Sequence, residues 1–179
     1  MTHIRDAEPA DLSVLRAIDI ATHSVDTSPG PPPDPERHHL GNFGPGQVLV
    51  AESEGGRIQG YTAWGHPTPL PSSEHVMQIQ ALAVDPRFQG EGVGRALIRG
   101  VLELARHREA TKVSLRVLGT NVVARRLYSL AGFVVEGVLR QEFELENRLV
   151  DDILMAHYLD GDFDAHREVD APRLDQAPD

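Results

Sequence analysis

Val84-Asp85-Pro86-Arg87-Phe88-Gln89-Gly90-Glu91-Gly92-Val93-Gly94-Arg95-Ala96-Leu97 is the stretch that decides the fold of this 179-residue chain. The apolar run before it, Ile79-Gln80-Ala81-Leu82-Ala83-Val84, reads as a strand that stops at Asp85-Pro86. An apolar-periodic segment begins after the glycines, at Arg95, with Leu97, Ile98, Val101, Leu102 and Ala105 on one side. Strand, glycine loop and helix in that order aim free backbone N–H groups at a phosphate. The first amides of a helix lack intrahelical partners, and the helix dipole favours an anion there. Glycines let the backbone come close to a ligand and adopt angles that other residues avoid.

The loop is neither of the two commonest phosphate loops. No Lys-Ser or Lys-Thr follows it, as a P-loop requires. Its glycines run G-x-G-x-G, which misses the dinucleotide spacing G-x-G-x-x-G. The pattern present is Q-x-x-G-x-G, over Gln89 to Gly94. Downstream, Lys112 to Val117 alternates like a short strand. Then comes Asn121-Val122-Val123-Ala124-Arg125-Arg126-Leu127-Tyr128-Ser129-Leu130-Ala131-Gly132-Phe133. Val123, Leu127, Leu130 and Ala131 share a helical face, and Gly132 stands where a helix C-cap glycine belongs.

Together, Q-x-x-G-x-G behind Leu-Ala-Val-Asp-Pro and N-x-x-A-x-x-L-Y-x-x-x-G-F resemble the two signatures of the GNAT N-acetyltransferases. The resemblance runs from about Ile4 to Tyr158. It implies acetyl-CoA as cosubstrate, no metal, and direct transfer to a primary amine in a ternary complex. Amides from Gly90 to Arg95 (Gly90, Glu91, Gly92, Val93, Gly94 and Arg95), with Gln89 ahead of them, would hold the pyrophosphate. The backbone of Leu82, Ala83 and Val84 would pair with the pantetheine arm like an added strand. That strand splays from its neighbour in this family, and an N–H near Leu82 or Ala83 would polarise the thioester carbonyl. Glu91 is compatible with a pyrophosphate only if its carboxylate turns to solvent.

Asn121 reads both as a pantetheine ligand and as a plain helix N-cap, roles that can coexist. Tyr128 lies seven residues on, two helical turns away and on the same side. It is the candidate general acid, since a phenol of ordinary pKa about 10 is neutral at pH 7 yet can protonate a thiolate; a core tyrosine is the competing reading. Ribosomal-protein N-terminal acetyltransferases carry a glutamate five residues before the asparagine, where this chain has Arg116. The departure points to a small-molecule acceptor over a protein one. Glu74, His75 and His66 are the candidates for a general base, each more readily read as a surface residue, and a base is dispensable if the acceptor arrives as free amine. His38-His39 is a weak metal pair, because adjacent side chains diverge.

The composition narrows the partners. The formal charge is −10, with sixteen arginines and one lysine, Lys112. This balance disfavours nucleic acid, whose binding rests on basic patches. The absence of cysteine removes disulfides, thiolate metal sites and a Cys acyl-enzyme. No apolar stretch approaches the ~18 residues of a membrane span and no signal-peptide pattern opens the chain, so a cytoplasmic location is expected.

The predicted fold class is α/β, of the α+β type: a mixed, mostly antiparallel sheet of six to seven strands, splayed at the cofactor site and flanked by about four helices. Residues 1–160 form one domain, and the acidic, proline-containing 161–179 reads as a disordered tail. Helices are expected from Pro9, around Glu36–Leu40, from Arg95 and from Asn121. The proline-rich stretch within Thr22–Gly46 reads either as the wall of the acceptor site or as a passive loop. Gly55-Gly56 and Glu146-Asn147-Arg148 read as hairpin turns. A homodimer is a softer expectation from the resemblance. Three rival functions stay open: protein N-terminal or lysine acetylation, a non-catalytic acyl-CoA sensor, and a toxin acting on charged tRNA.

Overall fold

The computed structural model describes residues 2–34, 43–44 and 46–159. Ten elements follow in chain order: β1 (Thr2–Asp6), α1 (Leu12–Thr22), β2 (Val48–Ser53), β3 (Ile58–Gly65), β4 (Val76–Val84), α2 (Val93–His107), β5 (Lys112–Leu118), α3 (Val122–Leu130), β6 (Val134–Leu145) and β7 (Arg148–Tyr158). The strands form one seven-stranded sheet ordered β1-β2-β3-β4-β5-β7-β6. Every neighbouring pair is antiparallel except β4–β5, which runs parallel. That parallel pair is joined through α2, the crossover helix a parallel connection demands.

The sheet is covered on both faces. Val48 and Val50 of β2 pack with Leu15 and Ile18 of α1. Leu49 joins Ile98, Val101 and Leu102 of α2 on the other side, and Ala51 joins Val93 and Leu97. This period-two division explains why β2 is apolar at every position from Val48 to Ala51. At the far edge, β6 and β7 meet at a two-residue turn in which Glu146 and Asn147 have φ of 50° and 61°. Positive φ at both positions is what a tight type I′ hairpin requires.

Three features aim the sheet at a ligand. First, β4 and β5 pair only from Val76–Lys112 to Ile79–Leu115, and beyond that point β4 has no partner on its β5 side. Second, Ala63 pairs with Ala81 but Trp64 with Ile79, so Gln80 is an extra residue in β4, a bulge that bends the strand where the gap opens. Third, Gly60 lets β3 and β4 lie close: a Cβ there would sit 2.7 Å from the Ala83 carbonyl oxygen and 3.1 Å from the Val84 Cα. Gly60→Val is therefore expected to destabilise the chain by about 1–3 kcal/mol, the usual range for overpacking. Urea denaturation measures this, and an unchanged midpoint would mean that β4 can shift freely.

One expectation is corrected. Helix α2 starts at Val93, two residues before Arg95, because Gly92 at φ 87° is already its N-cap. Val93 and Gly94 are thus its first turn rather than loop. Three helices flank the sheet among the described residues. The fourth expected one, around Glu36–Leu40, lies outside those residues, as do His38-His39 and the tail 161–179.

Candidate functional site

The gap between β4 and β5 opens into a cleft of about 1020 Å³ that runs past the glycine loop to α3. Its floor is the free edge of β4. The Asp85 N–H donates to the Gln59 carbonyl oxygen of β3 at 2.9 Å. Backbone groups alternate along a strand, so those of Ala83 also face β3, while those of Leu82 and Val84 face the gap. The alternation selects Leu82 over Ala83 as the residue whose N–H is free in the cleft. Gln89 Nε2 donates to the Val84 carbonyl oxygen at 3.1 Å, which ties the loop to this edge.

The turn from β4 into the loop is built by Asp85. Its buried carboxylate accepts from the Arg87 N–H at 2.9 Å and is gripped by the Arg87 guanidinium. These bonds hold the Asp85 carboxyl below the usual carboxylate range. Gly90 and Gly92 follow at φ 81° and 87°, angles that disfavour any residue with a Cβ. The third glycine, Gly94, serves packing: a Cβ there would lie 3.0 Å from Leu127 Cδ2 of α3. Val93 is buried and contributes backbone only. The N–H groups of Val93, Gly94 and Arg95 form the open first turn of α2, since the helical ladder begins with the Ala96 N–H donating to Gly92. Arg95 is exposed, lines the cleft and makes no ion pair with a described residue. Glu91 is exposed and lies off the cleft lining, so its carboxylate does not confront an anion bound there.

On the opposite wall, Asn121 caps α3: its Oδ1 accepts from the Ala124 N–H at 3.1 Å. The amide nitrogen stays available to the cleft, which Asn121 lines. Tyr128 also lines it, although it is only 7% exposed. Its ring packs on Phe133 at 5.8 Å between centroids, and its hydroxyl bonds no described residue. Burial pushes the phenol up to about 12.

Glu74, His75 and His66 are not in this cleft. Glu74 and His66 border a separate surface cavity beside Arg108, and His75 is exposed just before β4. All three sit at the N-terminal end of β4, whereas the gap is at its C-terminal end. Besides Arg95 and Tyr128, the ionisable groups that line the cleft are Asp19 and His23 around the end of α1, Tyr61 of β3, Arg116 of β5 and Asp152 of β7. The Tyr61 hydroxyl donates to Asp19 at 2.9 Å, and burial followed by the Asp19 charge raises the phenol far above its ordinary range. Apart from Arg116, these residues carry no local motif; only the sheet order brings them together.

Pro29, Pro31 and Pro33 also line the cleft, so the described part of the first proline-rich segment is a wall of it. Asp26 fastens that wall. Its carbonyl oxygen accepts from Thr120 Oγ1 at 3.2 Å and its carboxylate from Arg148 Nη2 at 3.1 Å. The ion pair is exposed, so Arg148→Ala is expected to change stability by under about 1 kcal/mol. The same loss at the wall would raise the acceptor KM by up to about fivefold while leaving acetyl-CoA affinity unchanged. Steady-state kinetics checks both halves; an unchanged KM would mean that the wall does not meet the acceptor.

Known proteins resemble this chain in sequence and in fold. The model of the acetyltransferase (GNAT) family matches residues 16–133. N-alpha-acetyltransferase RimI of Mycobacterium tuberculosis is 29% identical over 147 residues, covering 78% of this chain and 88% of that protein. A mycothiol acetyltransferase of Beutenbergia cavernae is 44% identical over 64 residues, 36% of this chain but only 22% of that protein. The crystal structure of yncA from Salmonella typhimurium, solved with acetyl-CoA, superposes with a TM-score of 0.73 at 24% identity, over 100% of this chain and 98% of that one. With a family match across two thirds of its length and the fold to go with it, the chain belongs to the acetyltransferase (GNAT) family, whose acetyl donor is acetyl-CoA.

Proposed function

We propose that the chain transfers an acetyl group from acetyl-CoA to the primary amine of a small molecule, by direct attack within a ternary complex. The observation that carries the reading is the coincidence of the β4–β5 gap with the open first turn of α2. One cleft thereby offers an anion site, a free strand edge and a buried phenol. The pyrophosphate would sit on the amides of Gly90 to Arg95, where unpartnered N–H groups and the helix dipole favour it. The pantetheine amides would pair with Leu82 and Val84, and the Leu82 N–H would polarise the thioester carbonyl. The Asn121 amide nitrogen would hold the arm from across the cleft.

The amine nitrogen attacks the carbonyl carbon, the carbon–sulfur bond breaks, and the departing thiolate takes the Tyr128 proton. The ammonium form of the acceptor must first lose a proton, and Asp19, His23 and Asp152 are the groups on that side able to accept one, directly or through water. The match to RimI favours a second reading, acetylation of a protein N-terminus, and the mycothiol acetyltransferase match favours the first. Arg116, where ribosomal-protein acetyltransferases carry a glutamate, tips the choice to a small molecule. The test is isothermal titration of acetyl-CoA together with a thiol-release assay across amino acids, polyamines, aminoglycosides and short peptides. Binding with turnover of one small-molecule class is expected. Turnover of peptides alone would replace the acceptor, binding without any turnover would favour a sensor, and no binding would overturn the reading.

A further inference from the structure

We infer that Arg116 reads a carboxylate on the acceptor, so that the amine acetylated is that of a free amino acid or a similar amino carboxylate. The inference rests on the acetyl-transfer reading above and adds the acceptor's chemical class to it. Arg116 is the first residue of β5 past the end of its pairing with β4, at the point where the gap opens. Val113, Leu115 and Val117 share the cluster of α2 and Tyr128. Side chains alternate, so Arg116 faces the opposite side, the one that carries α1 and Tyr61. The donor machinery and Arg116 therefore meet the cleft from opposite faces of the sheet.

The guanidinium is held on one edge and open on another. Nε donates to Asp152 Oδ2 at 2.5 Å, and Nη2 grips the same oxygen. Asp152 is 2% exposed, which makes it a fixed anchor. Nη2 also lies 3.7 Å from Glu142 Oε1, whereas Nη1 bonds no described residue. The Arg116 side chain is 48% exposed, so the free edge is accessible. A planar fork with a locked base and a free edge suits a carboxylate, through short charge-assisted hydrogen bonds.

A purely structural pair accounts for less of this. The β5–β7 ladder is continuous from Lys112–Tyr158 to Leu118–Asp152, so the two strands hold register without the ion pair. The open Nη1 edge is matched by an acceptor that brings its own anion. A zwitterionic amino acid fits such a site, with its carboxylate on Arg116 and its ammonium toward the acidic groups Asp19 and Asp152.

Each amino acid is compared with its own carboxamide as acceptor, which keeps the side chain and the amine and replaces only the charge. The carboxamide also mimics a peptide N-terminus. In the wild-type chain at least one amino acid is expected to exceed its carboxamide about tenfold in kcat/KM, and Arg116→Gln is expected to bring the ratio near one. Acetyl-CoA affinity, titrated separately, is expected to be unchanged in the variant. If Arg116→Gln fails to fold, Arg116→Lys keeps a cation beside Asp152 but loses the fork, and the ratio is again expected to fall. Carboxamides equal to or better than the acids, a preference that survives both variants, or binding of acetyl-CoA with neither member of any pair acetylated would each overturn the proposal. Failure to bind acetyl-CoA at all would instead remove the acetyl-transfer reading.

Discussion

Gly92→Glu is expected to weaken acetyl-CoA binding about 100-fold while the protein stays folded. Two terms act together. Gly92 is the N-cap of α2 at φ 87°, and a residue with a Cβ in that left-handed conformation costs about 1–2 kcal/mol, which weakens binding because the ligand-free loop can relax and must be restored to bind. A fixed carboxylate at the entrance of the first turn also competes with the pyrophosphate for the same amides and repels it, and at short range in a half-desolvated site this adds about 1–3 kcal/mol. The sum, about 2–5 kcal/mol, spans the ~2.7 kcal/mol that a 100-fold change needs. A Cβ at Gly92 would meet no heavy atom within 4 Å, so no clash unfolds the chain, and the backbone strain is small beside a typical stability of about 5–15 kcal/mol. Gly92→Ala separates the terms, because it carries the strain without the charge and is expected to lose about tenfold. Titration calorimetry reads affinity and circular dichroism reads the fold. An affinity unchanged by Gly92→Glu would remove the glycine loop as the phosphate site.

The contrast between what could and could not be foreseen follows the range of the interactions. The strand, loop and helix around Gly92 are written in adjacent residues: Asp85-Pro86 stops the strand, and Gly90 and Gly92 supply backbone angles few other residues tolerate. The same locality explains the Glu146-Asn147 turn. The sequence pattern places the start of α2 two residues late, at Arg95 instead of Val93, because Gly94 looks like loop. It is a glycine inside a helix, kept for the approach of Leu127 from α3, a contact 33 residues away that no local pattern encodes.

Glu74, His75 and His66 fail for a related reason. Nearness to β4 in sequence does not say which end of β4 a residue occupies, and from Val76 to Leu82 the strand covers roughly 20 Å. Asp19, Tyr61 and Asp152 come from α1, β3 and β7, and only the fold, with its strand order β3-β4-β5-β7, brings them to one cleft. Arg116 stood out through its departure from a family pattern. Its partner Asp152, 36 residues on and almost fully buried, was visible only in the fold.

Tyr128→Phe is expected to lower kcat about 10- to 100-fold, the range for loss of a general acid, with acetyl-CoA affinity nearly unchanged. The ring is retained, so its packing on Phe133 survives, and the hydroxyl has no bond to a described residue whose loss would leave a buried partner unsatisfied. Stability should therefore change little, and the kinetic loss can be assigned to the proton. At about 12, the buried phenol is a weaker acid than tyrosine in water. Transfer to a thiolate remains feasible because the same dry site destabilises the thiolate and raises its proton affinity too. The sign of the shift fixes the pH profile. A general acid works while protonated, so raising its pKa extends activity upward: the rate should climb as the acceptor ammonium deprotonates and show no falling limb from Tyr128 below about pH 10. A phenol left near its ordinary value of about 10 would already be half-ionised there. A wild-type profile that turns down near pH 9 would contradict the burial argument, and a Phe variant with unchanged kcat would leave protonation of the thiolate to solvent.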